Sequence, residues 1–249
     1  MKTKMRIGVL VSGSGTNLEA ITNACNNNEI NGEIVLVGAD RPLAGGLEKA
    51  KKAGIDTFVV DYAQIFAAVQ KKPKDFETTH DFLAKTYHLQ KKMIPKESSN
   101  RFLARLVAER KLLSTLSPLR LDLLVLAGFM RRLTPSFVET FSPETQFPRI
   151  MNIHPSILPA FPGTDGYGDS FRFGCKVAGC TVHFVDHDVD TGPIIAQESF
   201  HIEEADTLQS VREKGLQIEW KLYPRCIGWY TKGKIQIELI QNKKHVKII

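Results

Sequence analysis

Ile7-Gly8-Val9-Leu10-Val11-Ser12-Gly13-Ser14-Gly15-Thr16-Asn17 is the stretch that decides the fold. Its first half has no charged residue, which is what a strand buried on both faces of a parallel sheet requires. The strand runs into a glycine-rich turn, after which Leu18, Ile21 and Cys25 recur at helical spacing. Strand, tight turn and helix form the opening of a βαβ unit. The bare backbone N–H groups at such a helix start, with the helix dipole behind them, favour an anion such as phosphate.

Working outward, the same alternation continues. Ile34-Val35-Leu36-Val37 reads as a second strand, Leu47 to Ala53 as a helix closed by Gly54, and Thr57-Phe58-Val59-Val60 as a third strand. This order predicts an α/β fold with a mostly parallel, doubly wound, Rossmann-like sheet and helices on both faces. Gly13-x-Gly15 with Asp40 after the next strand also fits a dinucleotide-binding turn, but the third glycine position holds Leu18. Residues 61–119 read as a helical, polar insertion with candidate helices from Phe76 to Gln90 and from Asn100 to Ser114, separated by a loop around Pro95. Leu121 to Ala127 is again strand-like and leads into Gly128-Phe129-Met130-Arg131-Arg132-Leu133, beyond the carboxyl end of a strand, where open α/β sheets bind ligands.

Gly179 to Val185 and the run from Ile194 are further strands. Asp206-Thr207 caps a long helix with Leu208, Val211, Gly215, Ile218, Leu222 and Cys226 on one face, which Pro224 is expected to kink. Two short strands close the chain around Gln241-Asn242-Lys243. No internal repeat is evident, so residues 1–249 read as a single domain.

The composition narrows the function classes. A hydrophobic fraction of 43% with 24% charged residues is that of a globular protein with a sizeable core. The formal charge of +6 suits an anionic small molecule, but the lysines are scattered and no aromatic or arginine ladder accompanies them, so no nucleic-acid partner is expected. Cys25, Cys175, Cys180 and Cys226 form no C-x-x-C pair and imply neither a metal site nor a disulfide framework. The start, Met1 to Arg6, precedes only a short apolar run broken by Gly13 and Gly15, so no membrane segment or signal peptide is expected and a cytoplasmic location is.

Met151-Asn152-Ile153-His154-Pro155-Ser156-Ile157-Leu158-Pro159 carries the chemistry. In an extended segment Asn152 and His154 point to one face, bringing an amide donor and a titratable ring to the same place before the prolines end the strand. After a later strand, Asp186-His187-Asp188-Val189-Asp190-Thr191-Gly192-Pro193 offers a carboxylate-bearing loop.

In this order, the Ser-Gly-x-Gly-Thr-Asn-Leu turn, Leu-Ala-Gly-Phe-Met-Arg, Asn-Ile-His-Pro-Ser-Ile-Leu-Pro and Val-His-Phe-Val-x5-Asp-Thr-Gly-Pro resemble the formyltransferases that use 10-formyltetrahydrofolate, and among them the phosphoribosylglycinamide formyltransferases of purine synthesis. The resemblance covers residues 6 to 60 and 120 to about 240. It implies transfer of a formyl group from that reduced folate, without a metal, to the primary amine of a phosphoribosyl substrate. Asn152, His154 and Asp190 would be the catalytic group, with Asn152 and His154 donating to the tetrahedral oxyanion and Asp190 favouring the imidazolium and aiding proton transfer. Gly13, Gly15, Thr16 and Asn17 would hold the substrate phosphate and Glu219 its ribose. Met130, Arg131, Arg132 and Leu133, with Asn152, Asp186 and Asp190, would hold the folate.

His183 is also a family position, given a supporting role, with a satisfied core histidine as the plainer reading of the residue. The insertion is expected to flank the folate entrance, with Thr79 where the family places an arginine, and Leu216 stands at a position polar in some members. A monomer or homodimer is implied.

Alternatives are a formyltetrahydrofolate hydrolase, which normally has an extra N-terminal domain, or a transferase to another amine, such as a sugar nucleotide or an aminoacyl-tRNA. The tRNA enzymes normally add a C-terminal barrel. A folate- or nucleotide-binding protein without turnover would be expected to lack one of Asn152, His154 and Asp190, and all three are present.

Overall fold

The protein is described by a computed structural model over residues 3–77, 99–143, 147–241 and 243–249. Strands β1 (Met5–Val11), β2 (Gly32–Ala39), β3 (Thr57–Val59), β4 (Leu123–Leu126), β5 (Ile150–His154), β6 (Val177–Phe184) and β7 (Ile194–His201) form a seven-stranded sheet in the order β3-β2-β1-β4-β5-β6-β7. The first five strands in that order are parallel, and β6 and β7 are antiparallel additions. The chain winds outward in one direction through β3 and returns through β4 to the other. The switch between β1 and β4 opens a crevice at their carboxyl ends.

The strands are buried on both faces, as their apolar runs require. Ile7, Val9 and Val11 enter one core cluster with helices α1 (Thr16–Asn26), α2 (Gly45–Lys52) and α8 (Leu208–Thr231). Leu10, Leu124 and Leu126 enter the other, with α3 (Tyr62–Lys71), α5 (Ser99–Leu116) and α6 (Pro135–Phe141). This period-two partition makes the sheet doubly wound. Strands β8 (Ile235–Ile240) and β9 (Lys243–Ile248) pair as a separate antiparallel hairpin.

Within residues 61–119 the second expected helix is α5, two residues longer at its C-terminal end. The first, from Phe76 to Gln90, falls largely on 78–98, outside the described residues; only its start is seen, at the end of the short α4 (Lys74–Glu77). Three helices were not anticipated. Helix α3 is capped by Asp61, whose carboxylate accepts the Gln64 N–H at 3.0 Å; this Asp-x-x-Gln cap was readable. Thr134 and Pro135 start α6 in the same way. Helix α7 (Gly166–Phe173), GYGDSFRF, follows Asp165, which makes no side-chain cap bond, and ends at the left-handed Gly174.

The long helix α8 starts with a reciprocal capping box between Thr207 and Ser210 and continues through Pro224 to Thr231. Immediately before that proline, the fully buried Tyr223 places its hydroxyl 3.1 Å from Leu126 O and 2.8 Å from Met151 O. That hydroxyl ties the end of β4 to β5, the two strands that deliver the site.

Candidate functional site

At the end of β1 the Ser12 N–H donates to Gly128 O at 3.1 Å, and the Gly46 N–H donates to Gly13 O at the same distance, so the turn is clamped from both sides. Gly15 is left-handed at φ 73° and caps α1 without a side chain. A Cβ there would run into the Gly46 backbone. The first N–H groups of α1 consequently stay uncapped by any side chain at this residue, which leaves an anion-favouring end.

Asn17, in the first turn of α1, is buried and donates through Nδ2 to Glu219 Oε2 at 2.7 Å. The Tyr167 hydroxyl donates to Glu219 Oε1 at 2.8 Å. Burial pushes the Glu219 carboxyl above its ordinary range, against the pull of these two donors. Asn17 Oδ1 is buried without a hydrogen-bond partner in the protein.

The second wall is the segment after β4. Its fold is fixed by groups from the other half of the chain. Arg131 Nε donates to the buried Asp40 at 2.5 Å, and its guanidinium lies 5.1 Å from the centre of the Tyr62 ring. The Met130 N–H donates to the Ser12 hydroxyl at 2.9 Å. At the far end Glu109 of α5 accepts the Thr134 N–H at 2.7 Å and also the Thr134 hydroxyl. The Arg131 side chain is thus turned toward Asp40, which leaves backbone and the Met130 and Leu133 side chains to the cavity. The dinucleotide-binding alternative fails here, because the Asp40 carboxylate that would take a ribose is buried under Arg131 and Arg41.

Strand β5 delivers the polar centre. Asn152 stands directly opposite His183 in the antiparallel β5–β6 register, and its Nδ2 lies 3.2 Å from His183 Nε2. His183 Nδ1 is 2.8 Å from Phe184 O, which can only accept, so the proton is on Nδ1. Burial pushes the pKa of His183 down, keeping the ring neutral and leaving Nε2 a bare acceptor for the Asn152 amide. One amide hydrogen is therefore spent on orientation and the other is free to face the cavity.

His154 is 2% exposed. Its Nε2 lies 2.9 Å from Phe161 O, and its Nδ1 faces Asp190 Oδ2 at 3.4 Å. That same oxygen accepts the Gly163 N–H at 3.0 Å, and Asp190 Oδ1 is 3.8 Å from His183 Nε2. Phe161 and Asp190 both have left-handed backbone, at φ 51° and 56°. Such conformations persist where the surroundings over-determine them, as around a working site. The loop before Asp190 is an Asx-type turn, in which Asp186 Oδ1 accepts the Asp188 N–H at 3.2 Å and the Thr191 hydroxyl at 2.7 Å.

One cavity of about 480 Å³ is lined by all of these pieces. The turn residues Gly13, Gly15, Thr16 and Asn17 form one end with Glu219, and Met130, Arg131, Arg132 and Leu133 form the other. Asn152, His154, Asp186 and Asp190 lie between them. Every site residue named from the sequence is on this wall. His183, given only a supporting place there, lines it too, and Leu216 does so beside Glu219. Thr79 lies outside the described residues. Tyr167 was missed, since nothing in its neighbourhood marks a tyrosine that reaches Glu219. A larger open groove of about 810 Å³ between α1 and α8 shares only Thr16 with this constellation.

Residues 5–227 match the family described as Formyl transferase. The chain is 32% identical to the phosphoribosylglycinamide formyltransferase of Bacillus subtilis (strain 168), covering 89% of this chain and 92% of that one. It is 30% identical to the enzyme of the same name from Escherichia coli (strain K12), over 94% and 90%. It is also 30% identical to the human trifunctional purine biosynthetic protein adenosine-3, of whose length it spans 19%. The crystal structure of glycinamide ribonucleotide transformylase 1 from Symbiobacterium toebii superposes with a TM-score of 0.77 at 34% identity, covering 100% of this chain and 96% of that one. A sheet of this winding, a glycine turn facing an Asn-x-His strand end, and relatives that align along nearly the whole length agree: the chain belongs to the formyl transferase family.

Proposed function

We propose that this protein transfers the formyl group of 10-formyltetrahydrofolate to the primary amine of 5'-phosphoribosylglycinamide, a step of purine synthesis. The observation that carries the reading is the meeting, in one cavity, of an uncapped helix start, a buried carboxylate and the Asn152, His154 and Asp190 cluster. The first two suit a phosphate and a ribose, and the third suits acyl transfer.

In this reading the phosphate rests on the backbone from Gly13 to Asn17 and the ribose hydroxyls on Glu219. The folate ring lies against the backbone from Met130 to Leu133, under the loop from Asp186 to Asp190. The substrate amine attacks the formyl carbon, and the carbonyl oxygen gathers negative charge as the tetrahedral centre forms. Asn152 donates its free amide hydrogen to that oxygen, already aimed by His183. Donors fixed before the charge appears cost no reorganisation when it does. His154, anchored through Nε2 on Phe161 O, presents Nδ1 between the oxyanion and Asp190, where its proton is shared. Collapse expels the folate nitrogen, and the proton lost by the amine passes to it by way of the Asp190 carboxylate. Positioned proton transfer of this kind contributes about 10²–10⁴-fold.

The test is an absorbance assay for the folate product with purified protein and 10-formyltetrahydrofolate, with phosphoribosylglycinamide present or absent. Turnover that requires the amine is the expected result. Turnover without it would replace the reading by a hydrolase, and none in either case would leave a binding protein or another acceptor amine.

No helix among the described residues is long and apolar enough to cross a membrane. A cytoplasmic location fits the enzyme we propose.

A further inference from the structure

Tyr167 is the second residue of α7, in the glycine-rich piece that bears no catalytic motif. It is buried, and it does not line the cavity. Its ring lies against α8 at Gly215, where any Cβ would collide with it, and is tilted against Phe200 with ring centres 6.1 Å apart. Residues four apart share one face of a helix. A ring laid along α8 over Gly215 therefore carries its hydroxyl to Glu219, one turn on, and the observed distance to Oε1 is 2.8 Å.

Glu219 is 5% exposed and has no ion-pair partner among the described residues. A buried carboxylate with only neutral donors is a costly arrangement. Glutamine would keep the volume and remove the charge but has a single oxygen for the Asn17 and Tyr167 donors; a carboxylate at the cavity wall satisfies both and keeps acceptor positions to spare, which points to a ligand. An ionised carboxylate offers about four acceptor positions. Asn17 takes one on Oε2 and Tyr167 takes one on Oε1. One acceptor position on each oxygen is left over, and a pair of adjacent hydroxyls needs that number and spacing.

We propose that Tyr167 is a positioning residue for sugar recognition: seated on Gly215, its hydroxyl fixes the Glu219 carboxylate so that both oxygens are presented to the vicinal diol of the substrate ribose. This rests on the reading above that Glu219 contacts the ribose. Burial also raises the Tyr167 pKa, so the hydroxyl keeps its proton and remains a donor. The role couples α7 to α8, since Gly215 makes the room and Tyr167 fills it.

The variant Tyr167→Phe removes the donor and keeps the ring. Steady-state kinetics of the purified full chain are expected to show KM for phosphoribosylglycinamide raised about fivefold, the effect of one lost hydrogen bond, with kcat and the folate KM changed by less than about twofold. The preference for the ribosyl substrate over its 2-deoxyribosyl analogue is expected to shrink, which loosened packing alone would not produce. Gly215→Ala, which displaces the ring, is expected to raise the same KM. Glu219→Gln is the control. If it raises the substrate KM while Tyr167→Phe changes neither KM nor sugar preference, the role of Tyr167 is overturned and the ribose site stands. If neither variant moves the substrate KM, the ribose reading of Glu219 falls, and this proposal with it.

Discussion

Replacing His183 by Phe tests whether the free hydrogen of Asn152 is aimed by its neighbour. In the native arrangement the neutral ring accepts from Asn152 Nδ2 at 3.2 Å, while Nδ1 is held by Phe184 O at 2.8 Å. A flipped amide would set its oxygen against the bare Nε2, so one orientation is populated. Phe has the same breadth but no acceptor. The amide is then free to flip, which halves the productive fraction, a factor of about two. It also loses a restraint worth about 1 kcal/mol, a further factor of about five. The expected fall in kcat is about tenfold.

Asn152→Ala, which removes the oxyanion donor itself, is expected to cost about 10²–10³-fold. The decisive measurement is the double-mutant cycle. If His183 acts through Asn152, His183→Phe in the Asn152→Ala background costs less than about twofold. A tenfold loss in both backgrounds would refute the relay and make His183 an independent contributor. Because Phe184 O is left unpaired, some loss of stability accompanies the change; it is common to both backgrounds and cancels in the cycle.

Other outcomes follow from the same geometry. Asp190→Asn keeps the shape of a residue that sits at φ 56° and removes only the charge facing His154, so kcat is expected to fall by about 10²–10⁴-fold with both KM values within a few-fold; undiminished turnover would remove Asp190 from the mechanism. Gly15→Ala must strain a left-handed residue and push on the Gly46 backbone, at about 2–3 kcal/mol. Its melting temperature is expected to fall and its phosphoribosyl KM to rise more than its folate KM; equal rises would contradict the assignment of the phosphate to this turn.

Glu219→Gln is expected to remove a pH-dependent penalty from the free protein. Burial holds the folded pKa of Glu219 above its ordinary value, so the stability it allows is fully present below the ordinary carboxylate range and is lost as pH rises through the folded value. The native chain's penalty grows as pH rises toward the raised folded value, whereas the amide does not titrate. The melting-temperature gain of Glu219→Gln should therefore grow between pH 4 and pH 7 by about 2–4 °C if the penalty is about 1 kcal/mol. A gain that does not vary with pH would show that Glu219 is not the titrating group.

The sequence by itself determined the winding of the sheet and the place of the chemistry. Unbroken apolar runs such as Ile7 to Val11 and Leu123 to Leu126 must be covered on both sides, which forces helices onto both faces. The period of two put Asn152 and His154 on one side, and the glycines before Thr16 opened a helix start. Helices α3 and α6 carried readable caps at Asp61 and Thr134 that were passed over.

Only the tertiary structure decided the partners, because those contacts join residues far apart in the chain. Asn17 meets Glu219 across 202 positions, and Arg131 meets Asp40 across 91. Asp190 reaches His154 only because β6 returns antiparallel beside β5, and that register also sets His183 against Asn152. The glycine-rich α7 has weak helix propensity and is shaped by the groove it enters, so neither its fold nor the reach of Tyr167 was local information. Periodicity is written along the chain because it reflects burial of each element. The pairing of polar groups is not, because it depends on where separate elements end once the core has packed.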